Sequence, residues 1–190
     1  MGEYRICCRS RTFAESRIRM ESPIVNRVGE SGLITLDLGI FLPDEDVVSF
    51  DIADYLYMGL ILREKDFREA MAGMDAGLYE GRLVAVHCSA DAIIPSWAYM
   101  LVAARLSGIA KEVYQGTPGE MEKHLVVRAI EGYDVSALQG QRVVVKGCGD
   151  RETGPFAFLT LTARLVPIVR SLMYGEPCST VPVYKRSVRE

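Results

Sequence analysis

From Leu83 onward, short valine-rich runs alternate with segments of helical apolar spacing, and few folds accept that order. The runs are Leu83–His87, Val113–Gln115 and Arg142–Lys146. Strands that alternate with helices predict a parallel sheet with helices on its faces, because parallel strands need a crossover long enough to hold a helix. The runs at 83–87 and 142–146 are almost continuously apolar, as strands buried on both faces are.

The helical segments carry their own punctuation. Glu64 to Ala72 places Phe67 and Met71 on one face, with Met74 beyond. Pro95 suits a first helical position and Gly108 a stop. The segment between them, with Trp97, Met100, Leu101 and Ala104, is apolar nearly all round, which predicts a buried helix with Trp97 in the core. Thr117-Pro118-Gly119-Glu120 combines a capping box with proline at the first helical position, and that helix is expected to reach about Ile130. A last helix is expected from Pro155 to about Met173, kinked at Pro167. Upstream, Leu33–Asp37 and Val47–Ile52 read as strands around the turn Pro43-Asp44-Glu45-Asp46. Together these predict an α/β fold: a three-layer domain with a mainly parallel sheet, plus an N-terminal β addition. No internal repeat or low-complexity segment is evident. Residues 1–19 hold five Arg and two Cys with few apolar residues, and read as a disordered extension or a mis-assigned start. Residues 20–190 read as a single domain.

Composition narrows the function classes. Lys and Arg number 22 against 25 Asp and Glu, and no basic stripe interleaves with aromatics, which argues against a nucleic-acid protein. The longest nearly uncharged apolar stretch, Ala92 to Ala104, is too short to span a membrane. No signal peptide precedes it, so a cytoplasmic protein is expected, in a compartment where cysteines stay reduced. In such a compartment thiols are more often metal ligands or catalytic groups than disulfide staples.

Three cysteines lie in loops marked by glycine or proline: His87-Cys88-Ser89, Gly147-Cys148-Gly149 and Pro177-Cys178-Ser179. The first two directly follow strand runs, and strand ends of open α/β sheets are where ligands bind. If the strands at 113–115 and 142–146 flank the strand at 83–87, the strand order reverses between Cys88 and Cys148. Their thiolates then share one crevice and can share a metal. A straight helix from Pro155 to Met173 carries Cys178 away from that edge unless Pro167 turns the chain back. Asp91 lies between Cys88 and the Pro95 helix start, as a metal ligand, a general base or a loop cap, and the cap is the favoured role. Asp51, Asp54 and Asp150 lie near the same rim. His87 reads as a satisfied imidazole facing a helix layer, and His124 as a surface residue. No Cys-x-x-Cys, Walker, Gly-x-Gly-x-x-Gly or Gly-x-Ser-x-Gly motif occurs.

Four segments carry a resemblance: Ile24–Val28, Cys88–Met100, Lys146–Asp150 and Met173–Pro182. Over about residues 22–186 the chain resembles the bacterial family called domain of unknown function 2480. Members of that family often lie beside iron–sulfur cluster assembly genes. The resemblance therefore implies iron or sulfur handling, with iron–sulfur assembly proteins as partners. The extension lies outside the family pattern.

Three readings follow. Cys88, Cys148, Cys178 and Asp91 hold zinc or iron in a metal-binding or cluster-assembly accessory protein. Alternatively Cys148, between two glycines, is a nucleophilic or sulfur-carrying residue of an enzyme. In the third reading the chain is a partner-binding scaffold whose cysteines merely pack. Oligomeric state is not specified by any pattern in the sequence.

Overall fold

The computed structural model describes residues 27–28, 32–147, 153–176 and 179–187. The extension at 1–19, Cys148, Asp150 and Cys178 lie outside them. In chain order the elements are β1 (Arg27–Val28), β2 (Leu33–Asp37), β3 (Val47–Asp51), α1 (Glu64–Gly73), β4 (Leu83–His87), α2 (Ser96–Leu106) and β5 (Glu112–Gln115). They continue with α3 (Pro118–Gly132), β6 (Arg142–Lys146), α4 (Pro155–Leu165), β7 (Ser171–Glu176) and β8 (Ser179–Lys185). The α/β class holds, with two sheets rather than one. Sheet A has the order β1-β2-β6-β7-β8 and sheet B the order β3-β4-β5. β2, β6 and β7 are mutually parallel, as are β3, β4 and β5, while β1 and β8 pair antiparallel at the two edges of sheet A. The two strands expected as an N-terminal addition are therefore built into the sheets.

Two helix layers flank sheet B. Phe50, Val84 and Val86 pack on α1 and α2 through Phe67, Met71, Val102 and Leu106. On its other face Leu83 and Ala85 meet Met121 and Leu125 of α3. The opposite side of α3 presents Val126 and Ile130 to sheet A, where α4 joins it over Val143 and Val145. α3 thus serves two cores at once, which its four buried positions allow without an apolar surface all round. Its start is as the sequence predicts: the Thr117 hydroxyl accepts from Glu120 N–H at 3.3 Å, and the Glu120 carboxylate accepts from Thr117 N–H at 2.8 Å.

Two helix expectations change. α4 ends at Leu165, and the chain turns at 166–168 into β7. Pro167 has no N–H to continue the ladder, so it ends the helix rather than kinking it. Leu172 and Val169 fit a helical spacing and are equally consistent with a buried strand and its approach. α2 is buried on one face only, through Ala98, Val102 and Leu106, whereas Met100 is 71% exposed. Trp97 is half-buried, edge-on to Phe67 at 6.0 Å, on the margin of the core.

The two parallel sheets are copies of one plan. Leu83 pairs with Glu112 across β4 and β5, and Arg142 with Ser171 across β6 and β7, each 59 positions later. The same offset relates the Gly81 N–H bond to Ile109 O and the Gly140 N–H bond to Ile168 O, both 2.9 Å. Gly81 and Gly140 have φ of +67° and +68°, a left-handed turn conformation that glycine adopts without steric cost. Arg105 at the end of α2 donates to Met71 O and Met74 O behind α1, and Arg164 at the end of α4 donates to Ile130 O in α3. The first strands match as well. β3 meets β4 as Val47 with Leu83, and β2 meets β6 as Leu33 with Arg142. Asp51 and Asp37 each accept from the backbone two residues on, capping 3-10 turns at Ile52–Tyr55 and Leu38–Phe41. An inner unit (β3, α1, β4, α2, β5) therefore sits inside an outer unit (β2, then α3, β6, α4, β7). This corrects the reading that no internal repeat exists. Splitting the outer unit hides the repeat, because its first strand is separated from the rest by the whole inner unit.

Candidate functional site at the carboxyl ends of the strands

α3 leaves the carboxyl end of β5 and delivers the chain to the amino end of β6. The carboxyl ends of both sheets therefore point the same way, with α3 between them. This end of the molecule collects the residues of interest.

In the inner unit Asp51 and His87 are directly paired positions on β3 and β4. Ser49, two residues before Asp51, shares its face, because side chains of a strand alternate. Its hydroxyl lies 2.8 Å from His87 Nε2. Asp51 Oδ1 accepts from Ala53 N–H at 2.9 Å and from Ser89 N–H at 3.0 Å. Burial works against the ionised carboxylate, but the Ser89 and Ala53 hydrogen bonds and the nearby His87 outweigh it. The Asp51 carboxyl is held below the usual carboxylate range. Glu120 is also held low, first by the backbone and hydroxyl of Thr117, and it feels His87 across the gap. His87 is thus a satisfied imidazole, as expected, but it is half-buried at the rim rather than in the core.

Cys88 is half-buried against the α1–α2 core, and its thiol donates to Ala90 O at 3.5 Å. Burial raises the pKa of Tyr99, and the neighbouring Cys88 adds to this. Asp91 is exposed, and no side chain caps the start of α2. Asp54 is exposed on the 3-10 turn after β3. Burial first, then the Asp54 charge, raises the pKa of Tyr79. His124 is exposed as expected, stacked on Tyr114 with centroids 5.0 Å apart.

The matching positions of the outer unit hold Thr35, Asp37 and Lys146, and Lys146 Nζ lies 3.2 Å from Asp37 Oδ2. Ser49 is the residue that sequence reasoning missed. The alternation Val47-Val48-Ser49-Phe50-Asp51, with polar residues at every second position, was the signal for it.

The expected reversal of strand order between Cys88 and Cys148 does not occur. β4 lies between β3 and β5, whereas β6 lies between β2 and β7 in the other sheet, and neither order reverses. Each valine-rich run is the central strand of its own copy, which is why both look alike in sequence. The route to a shared metal through adjacent strands 83–87 and 142–146 is therefore closed. β7, in contrast, brings the chain back to the edge where β6 ends. Val145 pairs with Tyr174, and Gly147 and Glu176 close the two strands there. Cys148 follows Gly147, and Cys178 follows Glu176 by two residues, in the connection to Ser179. Among the described residues no three His, Cys, Asp or Glu side chains converge as a metal site, and Cys88 is a free thiol. No helix among them is long and apolar enough to cross a membrane.

The fold and this end of the molecule define a duplicated α/β protein with a polar strand-end site in each copy. The chain belongs to the family described as protein of unknown function (DUF2480), whose model matches residues 22–186. No curated protein and no solved structure matches it.

Proposed function

We propose that the chain binds a soft metal, zinc or iron, through thiolates at the carboxyl edge of sheet A, with Cys148 and Cys178 as the primary pair. The observation that supports this reading is the adjacency of the parallel strands β6 and β7, whose last residues, Lys146 and Glu176, each precede a cysteine by two positions in the sequence. Neighbouring strands lie about 4.8 Å apart, a spacing that two thiolates can bridge with metal–sulfur bonds of about 2.3 Å. Cys88 belongs to the inner unit behind the α3 layer, where its thiol packs and donates to Ala90 O. An accessory role beside iron–sulfur assembly proteins is the cellular setting proposed for such a site. The test is metal per chain for anaerobically prepared wild type, Cys88→Ser, Cys148→Ser and Cys178→Ser after exposure to zinc and to iron. Loss in the second and third variants but not in the first is expected, since a hydroxyl is a poor soft-metal ligand. Metal-free wild type would overturn the reading, and equal loss in all three variants would replace the pair with a three-thiol site.

A second reading has its own observation, the 2.8 Å contact between the exposed Ser49 hydroxyl and His87 beside Asp51. The contact sets a hydroxyl against an imidazole, with a carboxylate at the paired strand position, and these are the residue types that nucleophilic catalysis uses. Labelling by a fluorophosphonate, lost in both Ser49→Ala and His87→Gln, would support an acyl-transfer enzyme of the inner unit. Absence of labelling in the wild type counts against it.

A further inference from the structure

Each sheet ends in two strand edges, and three of the four are guarded against a further strand. β1 is two residues long, and β8 carries Pro182 and Lys185 beside a register shift at Leu172/Met173. On β5, Arg128 of α3 clasps the Glu112 carboxylate through both terminal nitrogens, at 2.8 and 2.7 Å. Shortness, proline, charge and irregularity are the devices that keep an edge from pairing. β3 is different. Its first four residues, Val47-Val48-Ser49-Phe50, hold no proline and no charge, and the whole strand pairs in unbroken register with Leu83–His87. Among the described residues β3 pairs with β4 alone. A parallel strand bonds its neighbour through alternate residues, so the remaining peptide groups of β3 point away from β4. Phe50 is buried in the inner core and fixes the strand, while Val47 and Val48 are half-buried, one on each face of the sheet.

The chain on either side of this edge is acidic. Asp44, Glu45 and Asp46 precede it, all exposed, and half-buried Asp51 and exposed Asp54 follow. Lys111 neutralises Glu45 at 2.7 Å, and the Asp51 carboxylate is occupied by Ala53 N–H and Ser89 N–H. Asp44 and Asp46 at one end and Asp54 at the other therefore set the charge that an incoming strand meets. Five strand residues at about 3.3 Å each place these ends roughly 17 Å apart. An open edge with an apolar middle and acidic ends is complementary to an extended segment with β-branched residues at its centre and Lys or Arg at its ends.

We propose that β3 docks an extended basic segment of a partner protein, which adds a fourth strand to sheet B through main-chain hydrogen bonds. A second copy of this chain is a poor occupant. Antiparallel pairing of β3 with itself sets Asp44 and Asp46 of one chain against Asp51 and Asp54 of the other. The edge belongs to sheet B and stands apart from the thiolate pair proposed at sheet A.

The experiment is fluorescence anisotropy of a labelled peptide, alternating valine and threonine between two lysines at each end, titrated with the full chain. Saturable binding is expected, and the same peptide with glutamates in place of the lysines should not bind. Asp44→Asn combined with Asp46→Asn, both at exposed positions, should weaken the lysine peptide by about tenfold, the worth of two surface ion pairs. Val47→Pro removes a donor at the first residue of the strand, a place that proline tolerates, and should also weaken binding. Of two peptides N-methylated at odd or at even positions, only one should lose binding, since a docked strand offers one side to the edge. No binding of the lysine peptide to wild type overturns the proposal, and so does binding that both N-methylated peptides retain. Sedimentation velocity separates the competing occupant. A dimer that Val47→Pro dissociates, in protein that ignores the lysine peptide, would assign the edge to a second copy and sink the partner segment.

Discussion

At matching positions the inner unit carries Ser49, Asp51 and His87, and the outer unit carries Thr35, Asp37 and Lys146. The carboxylate is kept because it has a structural task in both copies, capping the 3-10 turn that follows the first strand. The base and the hydroxyl are free to differ. His87 holds an exposed serine, whereas Lys146 pairs with Asp37 and the Thr35 hydroxyl is buried without a partner among the described residues. The outer unit also gains β8, and with it an open apolar face beside α4. The two units share a scaffold and differ at the strand ends, so function is best sought where they disagree.

The comparison is sharpest if the copies, though separate sheets of one plan, fold as one. Met71 in α1 and Ile130 in α3 are equivalent and almost wholly buried, so each truncation to alanine should cost about 2–5 kcal/mol. Because Met121 and Leu125 of α3 pack on sheet B while Val126 and Ile130 pack on sheet A, both variants should show one shifted unfolding transition. Calorimetry reads this directly. Two resolved transitions, with only the nearer one shifted, would show that α3 does not couple the units.

A smaller effect tests the equivalence of Arg105 and Arg164. Each closes the carbonyl end of the preceding helix in its own unit, and Arg105 does so from an exposed position. Arg105→Ala and Arg164→Ala should each cost about 1 kcal/mol, and the double variant should be additive to within about 0.5 kcal/mol. Urea unfolding of the three variants provides the numbers. A cost confined to one arginine would mean that the repeated contact is geometric coincidence.

Much of this architecture was legible, and the failures have physical causes. The capping box at Thr117 and the valine-rich strands are local signals that appear where the pattern puts them, and the start near Pro95 is displaced by one residue, with Pro95 as the cap and Ser96 the first helical position. The strand order is not local. Which strand lies beside β4 depends on how two helix layers pack, and no residue of Leu83–His87 records it. β7 was lost because Val169 and Leu172 satisfy a helical and a strand spacing alike, so period alone could not choose between them. The repeat escaped because its buried positions keep size and polarity rather than identity: Phe67 answers to Val126, and Val102 to Leu161. At the candidate site, Asp51 and His87 were visible as polar residues at strand ends. Their pairing with Ser49 needed the register of β3 on β4.

The smallest effect concerns Asp51, where the inner site can be read through pH. Its carboxyl is held low in the folded protein by hydrogen bonds from Ser89 and Ala53 and by nearby His87, against the opposing effect of burial. In the unfolded chain it returns to about 3.9. A depressed folded value means that the unfolded state takes up the proton first as pH falls. The resulting stabilisation is therefore complete above the unfolded pKa and disappears as pH drops through the folded one. Asp51→Asn keeps an acceptor for Ala53 N–H and Ser89 N–H but cannot ionise. The stability gap between wild type and variant should be constant from pH 7 to about 5 and should close below about 4. Urea unfolding at pH 7, 5, 4 and 3 measures the gap, with His87→Gln as a second background. If His87 supplies part of the field, the gap should narrow in that background. A gap that persists unchanged at pH 3 would show that Asp51 acts only as a neutral cap, as any acceptor could, and that the inner site holds no functional charge.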